Sequence, residues 1–168
     1  MKIVIAPDSF KESLSAPQVA LAIERGVKRA MPTATVLRVP MADGGEGTVE
    51  AVLGATASER HIETVLDALG RPIDATWAQL PGETAMIEMA CAAGLEHIAP
   101  ADRDPMRATS YGVGQLIAHA LDCGAQHIVL GLGGSATNDA GAGMLEALGL
   151  RLLDKQGMPL ARGGLALM

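Results

Sequence analysis

Gly131, Gly133 and Gly134, followed by Ser135, Thr137, Asn138 and Asp139, crowd backbone donors, hydroxyls, a carboxamide and a carboxylate into one short stretch. An apolar run, Ile128 to Leu130, precedes it, and the helical spacing of Met144, Leu145 and Leu148 follows. The pattern predicts a strand, a tight loop and a helix start. Glycine lets a ligand approach the backbone, and free N–H groups at a helix start attract anions, so phosphate suits such a loop. A plain strand-to-helix turn requires neither Asn138 nor Asp139. A carboxylate beside phosphate needs a cation between them, which points to a nucleotide with Mg²⁺. On this reading Asp139 holds the metal, and Gly133, Gly134, Ser135 and Asn138 hold nucleotide or substrate.

Two further loops carry the same kind of chemistry. Lys2 to Ala6 reads as a buried parallel strand ended by Pro7, and Asp8-Ser9-Phe10-Lys11 follows it. Thr35 to Val39 reads as a second strand, closed by Pro40 and followed by Ala42-Asp43-Gly44-Gly45-Glu46-Gly47-Thr48. With the intervening helix these form a βαβ unit, and ligands of open α/β sheets bind at the carboxyl ends of strands, so loops 7–14 and 42–48 are expected to share a cleft. Phosphoryl transfer needs a cation against phosphate charge, a carboxylate for Mg²⁺ or the alcohol proton, and donors around the phosphates. Lys11 is assigned the first role, and Asp8 and Asp43 are base or metal ligand. Ser9, Gly44, Gly45 and Glu46 are binding residues, although Glu46 also suits a helix dipole. Arg103 or Arg107 could face a carboxylate or phosphate, and Arg107 joins the binding set.

The elements that must position these residues are legible in part. Ser15 and Gln18 form a capping box around Pro17, and Val19, Ala20, Ile23 and Val27 make one buried face. From Ser58 the texture changes. His61–Val65, Ile73–Leu80 and Thr84–Met89 read as three strands joined by turn residues. This divides the chain into a Rossmann-like α/β segment, 1–56, and a second α+β subdomain, 57–168. Met89–Ala93 should be a short helix stopped by Gly94. Ser110 should cap a helix with Val113, Leu116, Ile117, Ala120 and Leu121 inward, and Leu150–Leu153 should be a strand. The Gly163-Gly164 pair entering a final apolar run predicts the N-terminal part of a longer enzyme.

Composition narrows the classes. A net charge of −6, no basic block and one each of Phe, Tyr and Trp argue against nucleic-acid binding. No apolar run approaches the roughly 18 to 20 residues of a membrane span, so a cytoplasmic protein without membrane contact is expected. Cys91 and Cys123 read as buried thiols in a reducing compartment. Gly131–Ala136 with Asp154 fits the dinucleotide fingerprint G-x-G-x-x-A, an oxidoreductase alternative, but it comes late in the chain and sets Asp139 where pyrophosphate would lie. The P-loop signature is absent, and no G-x-S-x-G surrounds Ser9. A non-catalytic fragment with a partial cleft is the other alternative. Its exposed apolar patch would favour a homodimer.

Four motifs in order carry a family resemblance: MKIVIAPDSFK at Met1–Lys11, MADGGEGT at Met41–Thr48, RDPMRATSYGVG at Arg103–Gly114 and GLGGSATNDAGAG at Gly131–Gly143. Together they resemble the glycerate kinase type-1 family across nearly the whole chain. Departures at Glu12 and Ala140 remove no charged or donor group. The resemblance implies an ATP-dependent, Mg²⁺-requiring kinase that converts D-glycerate to 2-phosphoglycerate. It also implies a longer protein with two α/β domains around a cleft, of which this chain is an incomplete half.

Overall fold

The computed structural model describes residues 1–10 and 13–168. Strands Lys2–Ile5 (β1) and Thr35–Arg38 (β2) pair in parallel, Ile3 opposite Val36 and Val4 opposite Leu37, with helix Ala16–Ala30 (α1) as their crossover. The Gln18 side chain accepts the Ser15 N–H at 3.0 Å, the reach-back half of a capping box. Two expectations fail here. β1 is not a buried strand, because Val4 and Leu37 share the sheet face away from the core and are 57% and 45% exposed. α1 buries Ala16, Val19 and Ala20, but Ile23 is exposed. A helix of this length runs about 22 Å and a strand of this length about 13 Å, so two short strands cannot cover the whole of α1.

The second sheet has the order β3-β4-β5-β6, formed by Glu59–Leu66 (β3), Pro72–Leu80 (β4), Thr84–Glu88 (β5) and His127–Gly131 (β6). The first three are antiparallel neighbours, as their alternation and turn residues predict. Asp67 builds the first turn. Its Oδ1 accepts the N–H groups of Leu69 and Arg71, and its Oδ2 pairs with Arg71 Nε at 2.7 Å. β5 and β6 run parallel, joined by Met89–Ala93 (α3), which ends at Gly94 as expected, and Tyr111–Asp122 (α4).

Period-two alternation sends the sheet's side chains to two cores. Trp77, Ala85 and Ile87 pack with Val113, Leu116 and Ala93 beneath α3 and α4. Ala78, Leu80 and Met86 pack on the other face against Val49, Val52 and Leu53 of helix Thr48–Ala55 (α2). Each fully buried aliphatic of this kind contributes about 1.5–3 kcal/mol. α2 is therefore part of the second sheet's packing.

Helix Ala142–Ala147 (α5) packs on α4, but Leu121, expected inward, is exposed, as are Leu145 and Leu148. Leu150–Leu153 is not a strand. Asp154 Oδ1 accepts the N–H groups of Gln156 and Met158, bending the chain so that only an isolated Leu153–Pro159 bridge forms. The chain's last turn docks on loop 104–107 through Leu165 N–H and the Met106 carbonyl, 2.9 Å apart. Cys123 is exposed, contrary to expectation. Cys91 is half-buried, and burial, reinforced by the Glu88 charge, pushes its thiol up to about 12.

Candidate functional site

Three loops meet at the carboxyl ends of β1, β2 and β6. Gly133 N–H donates to the Gly44 carbonyl at 3.1 Å, and Met41 N–H donates to the Pro7 carbonyl at 2.9 Å. The contact explains two glycines. A Cβ on Gly133 would stand 2.6 Å from Gly45 Cα, and one on Gly131 would strike the Gly44 carbonyl. These positions are bare so that loop can lie on loop, not to admit a ligand to those atoms.

The helix starts beside the loops differ from expectation. Glu88, 3% exposed at the end of β5, accepts the Val49 N–H with Oε1 and the Gly47 N–H at 3.2 Å with Oε2. Thr48 Oγ1 accepts from Gly44 N and donates to the Gly45 carbonyl, while Asp43 Oδ1 accepts the Gly45 N–H at 3.1 Å. At α5 the carboxylate is Asp139, 1% exposed. Its Oδ2 accepts from Ser110 N (2.8 Å), Ser110 Oγ (3.0 Å), Gly143 N (3.1 Å) and Thr109 Oγ1 (3.3 Å), and its Oδ1 accepts from Gly141 N at 3.1 Å. Ser110 Oγ in turn accepts the Met144 N–H. The helix-start N–H groups of Gly47, Val49, Gly141 and Gly143 are thus taken by the chain's own carboxylates, which supply the anion that a helix start attracts.

Burial pushes the Glu88 carboxyl above its ordinary range; the Val49 and Gly47 N–H groups and the Cys91 thiol oppose that rise, and the Glu46 charge adds to it. Glu96, on the turn after α3, is raised by burial and then by Glu46.

The sequence-derived residues separate into groups. Asp8, Asp43 and Glu46 are exposed, and Asp8 Oδ1 accepts its neighbour Ser9's N–H at 2.6 Å. Gly44, Gly45 and Gly133 form the loop contact, whereas Gly134, at φ +75°, lies against Ala90 and accepts the Leu95 N–H. Ser135 Oγ lies 2.9 Å from Thr137 Oγ1, and Asn138 is exposed. Lys11 lies outside the described residues. Arg107 lines a separate cleft of about 490 Å³ with Leu69, Ala101, Asp102, Arg103 and Asp104, to which none of the loop residues contributes. The dinucleotide fingerprint fails structurally, because Ala136 N–H bonds to the Ala93 carbonyl and opens no helix.

Sequence reasoning missed two organisers. Glu88 stands between apolar Ile87 and Met89, and a charge in such a run needs a buried partner, which was its signal. Ser110 occupies the expected N-cap position, yet its hydroxyl serves Asp139 and α5 instead of its own helix.

The folded chain is of the α/β class, with loops from parallel strands gathered at one junction. It belongs to the glycerate kinase family, whose model matches residues 3–168. It is 54% identical to glycerate 2-kinase of Escherichia coli K12 over 98% of this chain and 43% of that one. It is 53% identical to glycerate kinase of Bacillus subtilis 168 over 99% of this chain and 44% of that one. A crystal structure assigned to glycerate kinase 2 of Salmonella typhimurium LT2 superposes with a TM-score of 0.80 at 55% identity, covering 99% of this chain and 45% of the other. The chain thus spans less than half the length of these relatives. Among the described residues no helix is long and apolar enough to cross a membrane.

Proposed function

We propose that this chain acts in the ATP-dependent phosphorylation of D-glycerate to 2-phospho-D-glycerate, with Mg²⁺. The observation that carries the reading is the junction of three loops from parallel strands, made by the Gly133–Gly44 and Met41–Pro7 hydrogen bonds. Exposed Asp8 and Asp43 stand on two of these loops. The donor set fits the group in part: carboxylate oxygens of Asp8 and Asp43 suit Mg²⁺, and the Ser135 and Thr137 hydroxyls and Asn138 suit phosphate oxygens. Asp139 does not fit as a metal ligand, since its Oδ2 is saturated by four donors. Mg²⁺-ATP supplies the transferable phosphoryl group and the cation that balances its charge.

Either Asp43 or Asp8 takes the proton from the glycerate hydroxyl, the other carboxylate being left to the metal. Lys11 neutralises phosphate or the glycerate carboxylate, and Ser9, Gly44, Gly45 and Glu46 bound the site. Gly133 keeps the β6 loop seated on the Gly44 loop, and Gly134 belongs to the binding loop of this reading. Arg107, whose guanidinium suits a carboxylate or phosphate, stays a binding residue of this reading, although it lines a separate cleft. A cytoplasmic setting and a homodimer, the latter through the apolar face at Val4 and Leu37, belong to the same reading.

The test is ADP release by this chain with Mg²⁺-ATP, with and without D-glycerate, and the product's phosphorus position read by NMR. Glycerate-dependent ADP formation is expected. Asp43→Asn should lower turnover at least about a hundredfold, the scale of a lost transition-state contact. A loss below about fivefold, which is surface-charge scale, removes Asp43 from the chemistry.

A further inference from the structure

Asp43 has little of its own to hold it. Its side chain is exposed, and its hydrogen bond to Gly45 lies within the same loop. What fixes that loop in space comes from the neighbouring sheet. In the β5–β6 register Glu88 lies opposite Gly131, so the ends of two parallel strands present a carboxylate and a bare backbone side by side. Gly131 abuts the Gly44 carbonyl, while Glu88 reaches the Gly47 and Val49 N–H groups on the far side of the same loop. Gly47 is in the left-handed region at φ +88°, and its N–H has no place in the helical ladder of α2. Asp43 and Thr48 bond Gly44 and Gly45 from within the loop, whereas the Gly47 and Val49 N–H groups are held from outside it, by Glu88.

We propose that Glu88 is a positioning residue for phosphoryl transfer, its two carboxylate oxygens clamping the Gly44–Val49 turn so that Asp43 is presented at the junction of the three loops. The proposal rests on the kinase reading for its catalytic consequence and on geometry alone for the clamp. Both oxygens are needed, because each serves a different N–H group, and a carboxylate is the acceptor best able to take two charge-assisted bonds at a helix start. Glu46 on the loop, Cys91 on α3 and Glu96 on the following turn are the titratable groups around it. None of them offers a replacement acceptor on the same side chain scaffold.

Hydrogen–deuterium exchange by NMR on the 168-residue chain tests the clamp, with turnover measured alongside. Glu88→Gln keeps one carbonyl acceptor and should raise exchange at least about tenfold at one of the Gly47 and Val49 amides, the scale of one lost hydrogen bond. Glu88→Ala should do so at both, with the β3–β4 amides unchanged in the Gln variant. In the kinase assay the Gln variant should lose about tenfold in kcat with KM for glycerate unchanged, and Ala should lose more; the unchanged β3–β4 amides of the Gln variant separate this from a loss of folded fraction, which would also lower kcat alone. Unchanged exchange at both amides in Glu88→Gln overturns the proposal, as does faster exchange throughout the sheet in that variant. Local exchange with unaltered kcat in an active chain also overturns it. Local exchange in a chain without any glycerate-dependent ADP release upholds the clamp and rejects the kinase reading instead.

Discussion

Asp43 and Asp139 are both aspartates beside glycines, and nothing in their immediate sequence separates a carboxylate that does chemistry from one that builds the loop. Their surroundings do. Asp139 is buried with five hydrogen-bond donors on it, whereas Asp43 is exposed with one from its own turn. Each buried donor left without an acceptor costs about 1–3 kcal/mol. Asp139→Ala should therefore lose at least about 3 kcal/mol, lowering the melting temperature by roughly 6–12 °C for a chain of this size. Asp43→Asn should shift it by no more than about 2 °C, as a surface change does. Thermal denaturation followed by circular dichroism separates them. An Asp139→Ala protein that melts like the wild type while losing Mg²⁺ binding would return Asp139 to the metal.

At the scale of elements, the site rests on a contact between two of its three loops, and the tolerance of that contact is set by the absent Cβ atoms. Gly133→Ala places a methyl 2.6 Å from Gly45 Cα and 2.9 Å from its nitrogen, so one backbone must retreat from the other. Overpacking of this kind costs about 1–3 kcal/mol. Gly26→Ala in α1 meets nothing within 4 Å and should stabilise by about 0.5–1 kcal/mol through helix propensity. Opposite shifts in melting temperature are expected, and a neutral Gly133→Ala would mean the loops can part freely. Local elements were readable before the structure: the hairpins from alternation and turn residues, α3 from its apolar run and the stop at Gly94, and the three loops from strands ending in glycine and aspartate. What filled the helix starts was not. Glu88 lies 41 residues from Gly47 and Ser110 lies 29 from Asp139, and no local period carries a contact across such distances. The burial of β1 and the inward face of α1 failed for a related reason, because a strand's pattern states which faces are apolar but not whether a layer covers them.

For the whole molecule, two buried carboxyls pull stability in opposite directions as pH changes. Burial works to raise Asp67, but the Arg71 and Leu69 N–H groups and the Arg71 guanidinium outweigh it and hold the carboxyl below its ordinary range. Its stabilisation is fully present above the unfolded aspartate value and is lost as pH falls through the lower folded one. Glu88 is raised, chiefly by burial, so the folded chain binds its proton more tightly than the unfolded chain does. Stability from this group rises as pH falls through the raised folded value and levels off below the ordinary glutamate value. The wild-type melting temperature minus that of Asp67→Asn should therefore be largest near neutrality and shrink on strong acidification. The same difference for Glu88→Gln should grow as pH falls from neutrality toward the ordinary glutamate range. Melting curves from about pH 7 down to about pH 3 span both windows. Two differences that move together with pH would mean that Glu88 is held charged by its N–H partners as firmly as Asp67 is by Arg71, and that its burial carries no net penalty in the folded chain.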